Sequence, residues 1–311
     1  MVTGEMMRLK QPFFAVGICA LVFSACKQSE EAQSQETQPQ ETTSEVQTEG
    51  VKFQLKFEPG KEYLTDTEMK QNMVMPMGGQ QLKTSMTMNV VGSQTVSKVG
   101  EDVQVIQKMD SLVMDMNAAG MEIQFDSENP QGPMAAMIAP MMNAKSTMTL
   151  GADGEVISIV ADVAPGMENM GMGEDEIKQS AREVSDLMAN KVVAEGESWK
   201  ATSTLPLGGM TAEPVSISYT MTFDSMIEKD GHELAKVLVE GVIDEDDGNL
   251  KVTSKDLSGE ILFDPAIGQP REMTMVIDLE IGVPDGVSVQ EGAGGKMPMR
   301  METSSKLKAI K

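Results

Sequence analysis

From Val51 onward, long stretches of the chain alternate apolar and polar residues with a period of two. Such alternation places one set of side chains on each face of a strand, so it forces a sheet with one buried and one wet face. Val51-Lys52-Phe53-Gln54-Leu55-Lys56-Phe57 is the cleanest case, with apolar odd positions and Pro59-Gly60 ending the run. The same signal marks residues 86–91, 103–109, 112–116, 121–125, 156–160, 216–223, 234–243, 250–253, 259–263 and 272–279. Asn117 to Gly120, Gly151 to Gly154, Asp230-Gly231 and Asp247-Gly248 fall between strands and suit hairpin turns that need positive φ.

Two segments depart from this period. Ile177, Ala181, Val184, Leu187 and Met188 lie on one face of a helix over Glu174 to Asn190, which Glu174, Asp175 and Glu176 favour at its N-terminus. A shorter helix is expected over Met134 to Asn143, interrupted by Pro140. The expected fold class is α+β: a curved, mainly antiparallel β-sheet with one or two helices packed on one face. The stretch Val96 to Val103 aligns with Ile227 to Leu234, and Phe125-Asp126 with Phe263-Asp264, which suggests two similar β-meanders within one domain over 51–311.

The first fifty residues must be set apart from that domain. Arg8 and Lys10 precede an apolar run from Phe13 to Phe23. This run is shorter than the roughly 20 residues that span a bilayer. Phe23-Ser24-Ala25-Cys26 follows and resembles the lipobox of bacterial lipoproteins. The resemblance implies a signal peptide over 1–25, removed before Cys26, with a diacylglycerol (and hence palmitate-type acyl chains) on that thiol. Phe23 stands where the family usually has an aliphatic residue. Two acyl chains suffice for stable anchoring. Residues 27–50 are Gln-, Glu-, Ser- and Thr-rich, with Val46 as the one aliphatic residue larger than alanine. Such a segment cannot bury enough surface to offset its ordering entropy, so 26–50 reads as a lipidated cysteine and a disordered linker. Signal, cysteine and leash together point to the cell envelope, with Lys27 after the cysteine implying the outer membrane by the enteric rule.

Composition then narrows the function. The chain carries a net charge of −23, which excludes a nucleic-acid partner because phosphate binding needs a basic face. Cys19 and Cys26 are its two cysteines, so the domain has no disulfide, thiolate metal site or cysteine nucleophile. His232, the single histidine, sits at an expected hairpin tip and reads as a solvated turn residue. Asp244 to Asn249 is acidic, but its glycine falls one residue early for a calcium loop of EF-hand type, so it reads as an acidic turn. No motif marks a catalytic pair, and no cofactor is expected. With eleven aromatics in the chain, a carbohydrate-processing site is not expected either.

Methionine is the unusual feature, with 30 residues. Met73, Met75 and Met77 form one M-x-M-x-M run, and Met297, Met299 and Met301 another. In a strand each run puts three thioethers on one face, and soft thioethers select Cu(I). Methionine also serves as a flexible apolar filler, and its spread over the whole chain favours that reading. A methionine-lined face equally suits a promiscuous apolar pocket.

Three segments carry a further resemblance: Phe57-Glu58-Pro59-Gly60-Lys61-Glu62-Tyr63, then Val193 to Trp199, then Phe263-Asp264-Pro265-Ala266-Ile267-Gly268. In these the chain resembles a family of uncharacterised secreted bacterial proteins. Its order of elements is similar to the lipoprotein-carrier folds of the bacterial envelope, in which a curved sheet cups helices around an apolar cavity. The resemblance implies no activity. The expected function is non-enzymatic: a membrane-anchored envelope lipoprotein that binds a lipid or other apolar ligand, or a structural role. The alternative is a methionine-rich Cu(I)-binding protein.

Overall fold

The computed structural model describes residues 50–311 apart from 78–79, 119, 133–134, 136–137, 140–141, 152–153, 155, 163–177, 179–186, 206–214, 244–251 and 283–295. One antiparallel sheet of twelve strands dominates it. The short β1 (Val51–Lys52) pairs only with β8 (Val192–Val193). The first half of the large sheet contains β2 (Glu62–Met77), β3 (Gln80–Val99), β4 (Asp102–Ala118), β5 (Met121–Asp126), β6 (Lys145–Leu150) and β7 (Val156–Asp162). The second half contains β9 (Ser198–Leu205), β10 (Val215–Lys229), β11 (His232–Ile243), β12 (Val252–Asp264), β13 (Gln269–Gly282) and β14 (Lys296–Ile310). Each half is a meander of neighbouring strands, and the two join where β14 pairs β2. The long β4 is shared: its first part pairs β6 and its last part pairs β5.

The antiparallel sheet is as expected, but the α+β class is not. The described residues are nearly all strand, and among them no helix layer packs on a face of the sheet. The expected helix over 174–190 falls largely outside the described residues, and its last four, Leu187 to Asn190, are turn and bend with Asn190 at φ 47°. Leu187 and Met188 are buried against the sheet all the same. Lys178, the other described residue of that stretch, is helical. The 134–143 stretch is described only in part; its described residues Ala135, Ile138, Ala139, Met142 and Asn143 are helical, and Ile138 is buried.

Register explains why one face is apolar. In β14 buried and exposed residues alternate strictly from Lys296 to Ser304, with Met297, Met299, Met301 and Thr303 inward. Cross-strand pairing carries that face through the sheet. One row runs Trp199, Met221, Val239, Gly259, Met275, Thr303, Met69, Met88, Met114 and Phe125 over ten strands. The opposite face is charged. Glu272 accepts from Lys229 and Lys306 at 2.6 and 2.9 Å, and Arg300 bridges Asp278 and Glu302 at 3.4 and 2.8 Å.

Bulges bend this sheet. Asp110, Ile157, Asp224, Lys255, Arg271 and Lys308 are each skipped by a ladder. A skipped residue kinks its strand and increases local twist. Asp110, Asp224, Arg271 and Lys308 each find an ion partner: Lys108, Lys236, Asp264 and Asp66 respectively. At Asp110, burial pushes the carboxyl up, but the Lys108 ammonium, 2.8 Å from the carboxylate, outweighs it and holds it below the ordinary 3.8.

The Val51–Phe57 alternation gives a strap rather than a ladder strand. Only Val51 and Lys52 pair. Phe53 nevertheless has no exposed surface and sits among Trp199, Phe223 and Phe263 at ring separations of 5.1, 5.4 and 5.3 Å. Farther along, Lys56 N donates to Gly268 O at 2.9 Å, Glu58 N donates to the Tyr63 hydroxyl at 3.1 Å, and Phe57 meets the Tyr63 ring edge-on at 5.8 Å. A Cβ on Gly154, in the β6–β7 turn, would lie 3.0 Å from Gln54 Nε2. The strap therefore touches β9 at one end of the strand order and the β6–β7 turn at the other. The sheet must curve far enough to bring both flanks to these few residues.

Candidate functional site

The inner face divides into three zones along the strands. The largest is a methionine patch. Met69 and Met73 on β2, Met86 and Met88 on β3, Met114 on β4 and Met297, Met299 and Met301 on β14 are all buried there. The second zone is a polar band. Thr67 and Ser305 share a hydrogen bond of 2.9 Å across β2 and β14, and Gln269 Nε2 donates to Lys56 O at 2.5 Å. Tyr63, Thr65, Gln94, Gln269, Met273 and Ser305 line a cavity of about 20 Å³ in this band, room for about one water. The third zone is a smaller apolar cluster of Phe57, Tyr63, Val96, Val105, Met148, Leu150 and Ile159.

The two M-x-M-x-M runs lie on adjacent strands. Met299 is directly opposite Met73, Met301 is opposite Gln71, and Met297 is opposite Ile281 on the other side. Met73, Met297, Met299 and Met301 are between 3% and 8% exposed, so these thioethers are packed inward. Met75 and Met77 are on β2, but their side chains lie outside the described residues, as does Cys26. Asp244 to Asn249 also lies outside them. His232 opens β11 at the Asp230-Gly231 turn, where both φ values are positive as expected, 52° and 77°. It is exposed, with Nδ1 3.3 Å from Arg271 Nη2. Among the described residues, no three His, Asp or Glu side chains are grouped so as to hold a metal ion.

Sequence reading missed the polar groups on the inner face. Gln71 projects into the methionine patch, where its Nε2 donates to Met299 Sδ at 3.4 Å. Thr84 stands opposite Met73 on one side and Ala118 on the other. Its buried Oγ1 has no hydrogen-bond partner. No motif flags either residue; only the register of β2 against β3 and β14 turns them inward.

A model of a family of unknown function, DUF6263, matches residues 100–170, a span running from the turn before β4 through β7. No curated protein matches the chain. Among solved structures, the chain is similar to lipovitellin, described for its lipid–protein interactions, at a TM-score of 0.44 and 11% identity over 82% of this chain. It spans only 26% of the lipovitellin chain. It is also similar to an exported protein with a YmcC-like fold from Bacteroides fragilis, at a TM-score of 0.24 and 11% identity, covering 84% of this chain and 99% of that one. A lipoprotein-sorting domain from Vibrio parahaemolyticus gives a TM-score of 0.16 and 6% identity, covering 79% and 84%.

Proposed function

We propose that this chain is a non-enzymatic envelope lipoprotein whose single domain binds a lipid or other apolar ligand on the inner face of its sheet. The observation that carries this reading is the methionine patch itself. Leu or Ile would fill a fixed core with better-defined rotamers. Thioether side chains have three rotatable bonds and adapt to varied apolar shapes. Eight of them on four neighbouring strands make a face suited to accepting a guest rather than to a single packing solution. In this proposal the lipid on Cys26 and the linker to residue 50 hold the domain near the bilayer that supplies the ligand.

Purification from envelope membranes, followed by native mass spectrometry and solvent extraction, tests the binding. Co-purified lipid in roughly stoichiometric amount is expected; protein free of lipid from every source would refute it. Fractionation of a Cys26→Ser variant tests the tether, since retention in the membrane fraction would refute lipid anchoring.

Cu(I) binding is the second reading, and the Met73–Met299 opposition is what favours it. The inward packing of Met297, Met299 and Met301 ranks it lower, because a buried thioether site also has to admit and desolvate an ion.

A further inference from the structure

The methionine patch contains two polar groups whose hydrogen-bonding capacity is not used well. Thr84 Oγ1 is buried with no partner, and the Gln71 amide donates to a thioether, which is a weak acceptor. Buried polar groups in folded proteins are almost always satisfied, so an exception needs an explanation. The two are close. Gln71 is opposite Met86, and Thr84 is two residues from Met86 on the same strand face, which makes them diagonal neighbours about 7–8 Å apart. Thr84 also pairs with Ala118 on β4, a small side chain with no polar group to meet the hydroxyl.

Around this pair the inner face is apolar and uncharged: Met69, Met73, Met86, Met299 and Met301. The nearby cations, Lys70, Lys83 and Arg300, occupy outer-face positions, and Lys70 and Arg300 are engaged by Glu68 and by Asp278 with Glu302. A carboxylate or phosphate buried here would lack a counter-ion and would be strongly disfavoured. A neutral oxygen would not. A threonine hydroxyl and a primary amide can both donate to an ester carbonyl and accept from a hydroxyl.

We infer that Thr84 and Gln71 hold the neutral oxygen of an uncharged acyl ester, with its hydrocarbon chain lying along the neighbouring thioethers. This inference rests on the apolar-ligand reading and specifies the ligand class: an acylglycerol rather than a fatty acid or a phospholipid headgroup.

The test is equilibrium binding of radiolabelled monolaurin, laurate at alkaline pH, and dodecane to the delipidated full-length chain. Wild type should bind monolaurin at least about fivefold more tightly than either of the others, the ratio expected of one hydrogen bond. Thr84→Val keeps the shape and removes the hydroxyl. It should weaken monolaurin binding about fivefold, leave dodecane binding unchanged, and leave thermal stability equal or higher, because an unpartnered buried hydroxyl is lost. A purely structural threonine would give the reverse, lower stability with binding unaltered, and that result overturns the inference. Equal affinity for all three probes also overturns it while leaving the apolar-ligand reading intact. Binding of none of them defeats both. Gln71→Leu supplies the same comparison should the Thr84 variant fail to fold.

Discussion

Truncating Phe53 to alanine tests whether the strap ties down the β9–β12 flank of the sheet. Phe53 is fully buried and touches rings from β9, β10 and the end of β12. Its backbone is fixed as well, donating to Lys191 O at 3.2 Å and accepting from Asn190 N at 2.8 Å. These two bonds resist collapse of the backbone into the vacated space. A large-to-small change of this kind costs about 3–5 kcal/mol when the surroundings cannot close the cavity. With a urea m-value of about 3 kcal/mol/M for a domain of this size, the midpoint should fall by about 1–1.7 M. The assay is built into the chain. Trp199 is its only tryptophan, is 8% exposed, donates from Nε1 to Leu187 O at 2.9 Å, and sits 5.1 Å from Phe53. Its fluorescence reports unfolding and also any local loosening, as a red shift in the variant before the main transition. A midpoint shift below about 0.3 M, with unchanged native emission, would refute the claim that the strap is a structural tie.

Gly259→Ala should destabilise the fold by about 2 kcal/mol or more, read by the same urea titration, because the new Cβ would lie 2.4 Å from the Thr274 carbonyl oxygen and Met275 Sδ. Met88→Leu should change stability by less than about 1.5 kcal/mol, whereas Met88→Ala should cost about 2–5 kcal/mol, and thermal melts of the pair measure whether this buried row is a packed one. Glu272 is held below the ordinary 4.5 by hydrogen bonds from Lys229 and Lys306. A lowered folded pKa adds stability above the unfolded value that is lost as pH falls through the folded one. Wild type and Glu272→Gln should therefore differ most near neutral pH and converge in acid below pH 4.5; a difference that persists unchanged into acid would refute the assignment.

The strands that sequence reading missed explain how much of the fold was legible. Alternation located β3, β4, β5, β7, β10, β11, β12 and β13, whole or in part, because their inward positions are largely apolar. It passed over β2 and β14, the pair that joins the two meanders. Their inward sets are Tyr63, Thr65, Thr67, Met69, Gln71 and Met73, and Met297, Met299, Met301, Thr303, Ser305 and Leu307. Hydroxyl and amide groups in the middle of each set break the hydrophobic signal while the geometric period continues unbroken. The strap failed in the opposite sense. Its alternation is perfect, yet it buries Phe53 and Phe57 without a ladder, since burial of alternate side chains requires an extended backbone and not a strand partner. The candidate site was half legible for the same reason. Methionine composition announced an adaptable apolar face, but Gln71 and Thr84 acquire meaning only once register sets them beside each other.

The polarity of the sheet also decides how such a domain can meet a membrane. A barrel that crosses a bilayer carries its apolar band outward and its polar residues inward. Here the arrangement is inverted. Methionines and aromatics face in, while Lys70, Lys229, Glu272, Asp278, Arg300, Glu302 and Lys306 spread over the outer face of β2, β14, β13 and β10. A single lysine or arginine on a lipid-facing strand costs about 2–4 kcal/mol at the bilayer midplane. Four such cations in one belt would oppose insertion by roughly 8–16 kcal/mol, at the scale of a domain's whole folding stability. The ion pairs between them do not remove that penalty, because each partner must also leave water. This outer face therefore belongs in water. On the function proposed above, membrane contact would then come from the lipid on Cys26 rather than from this charged belt, and an acyl ester would enter past the sheet's rim or the strap.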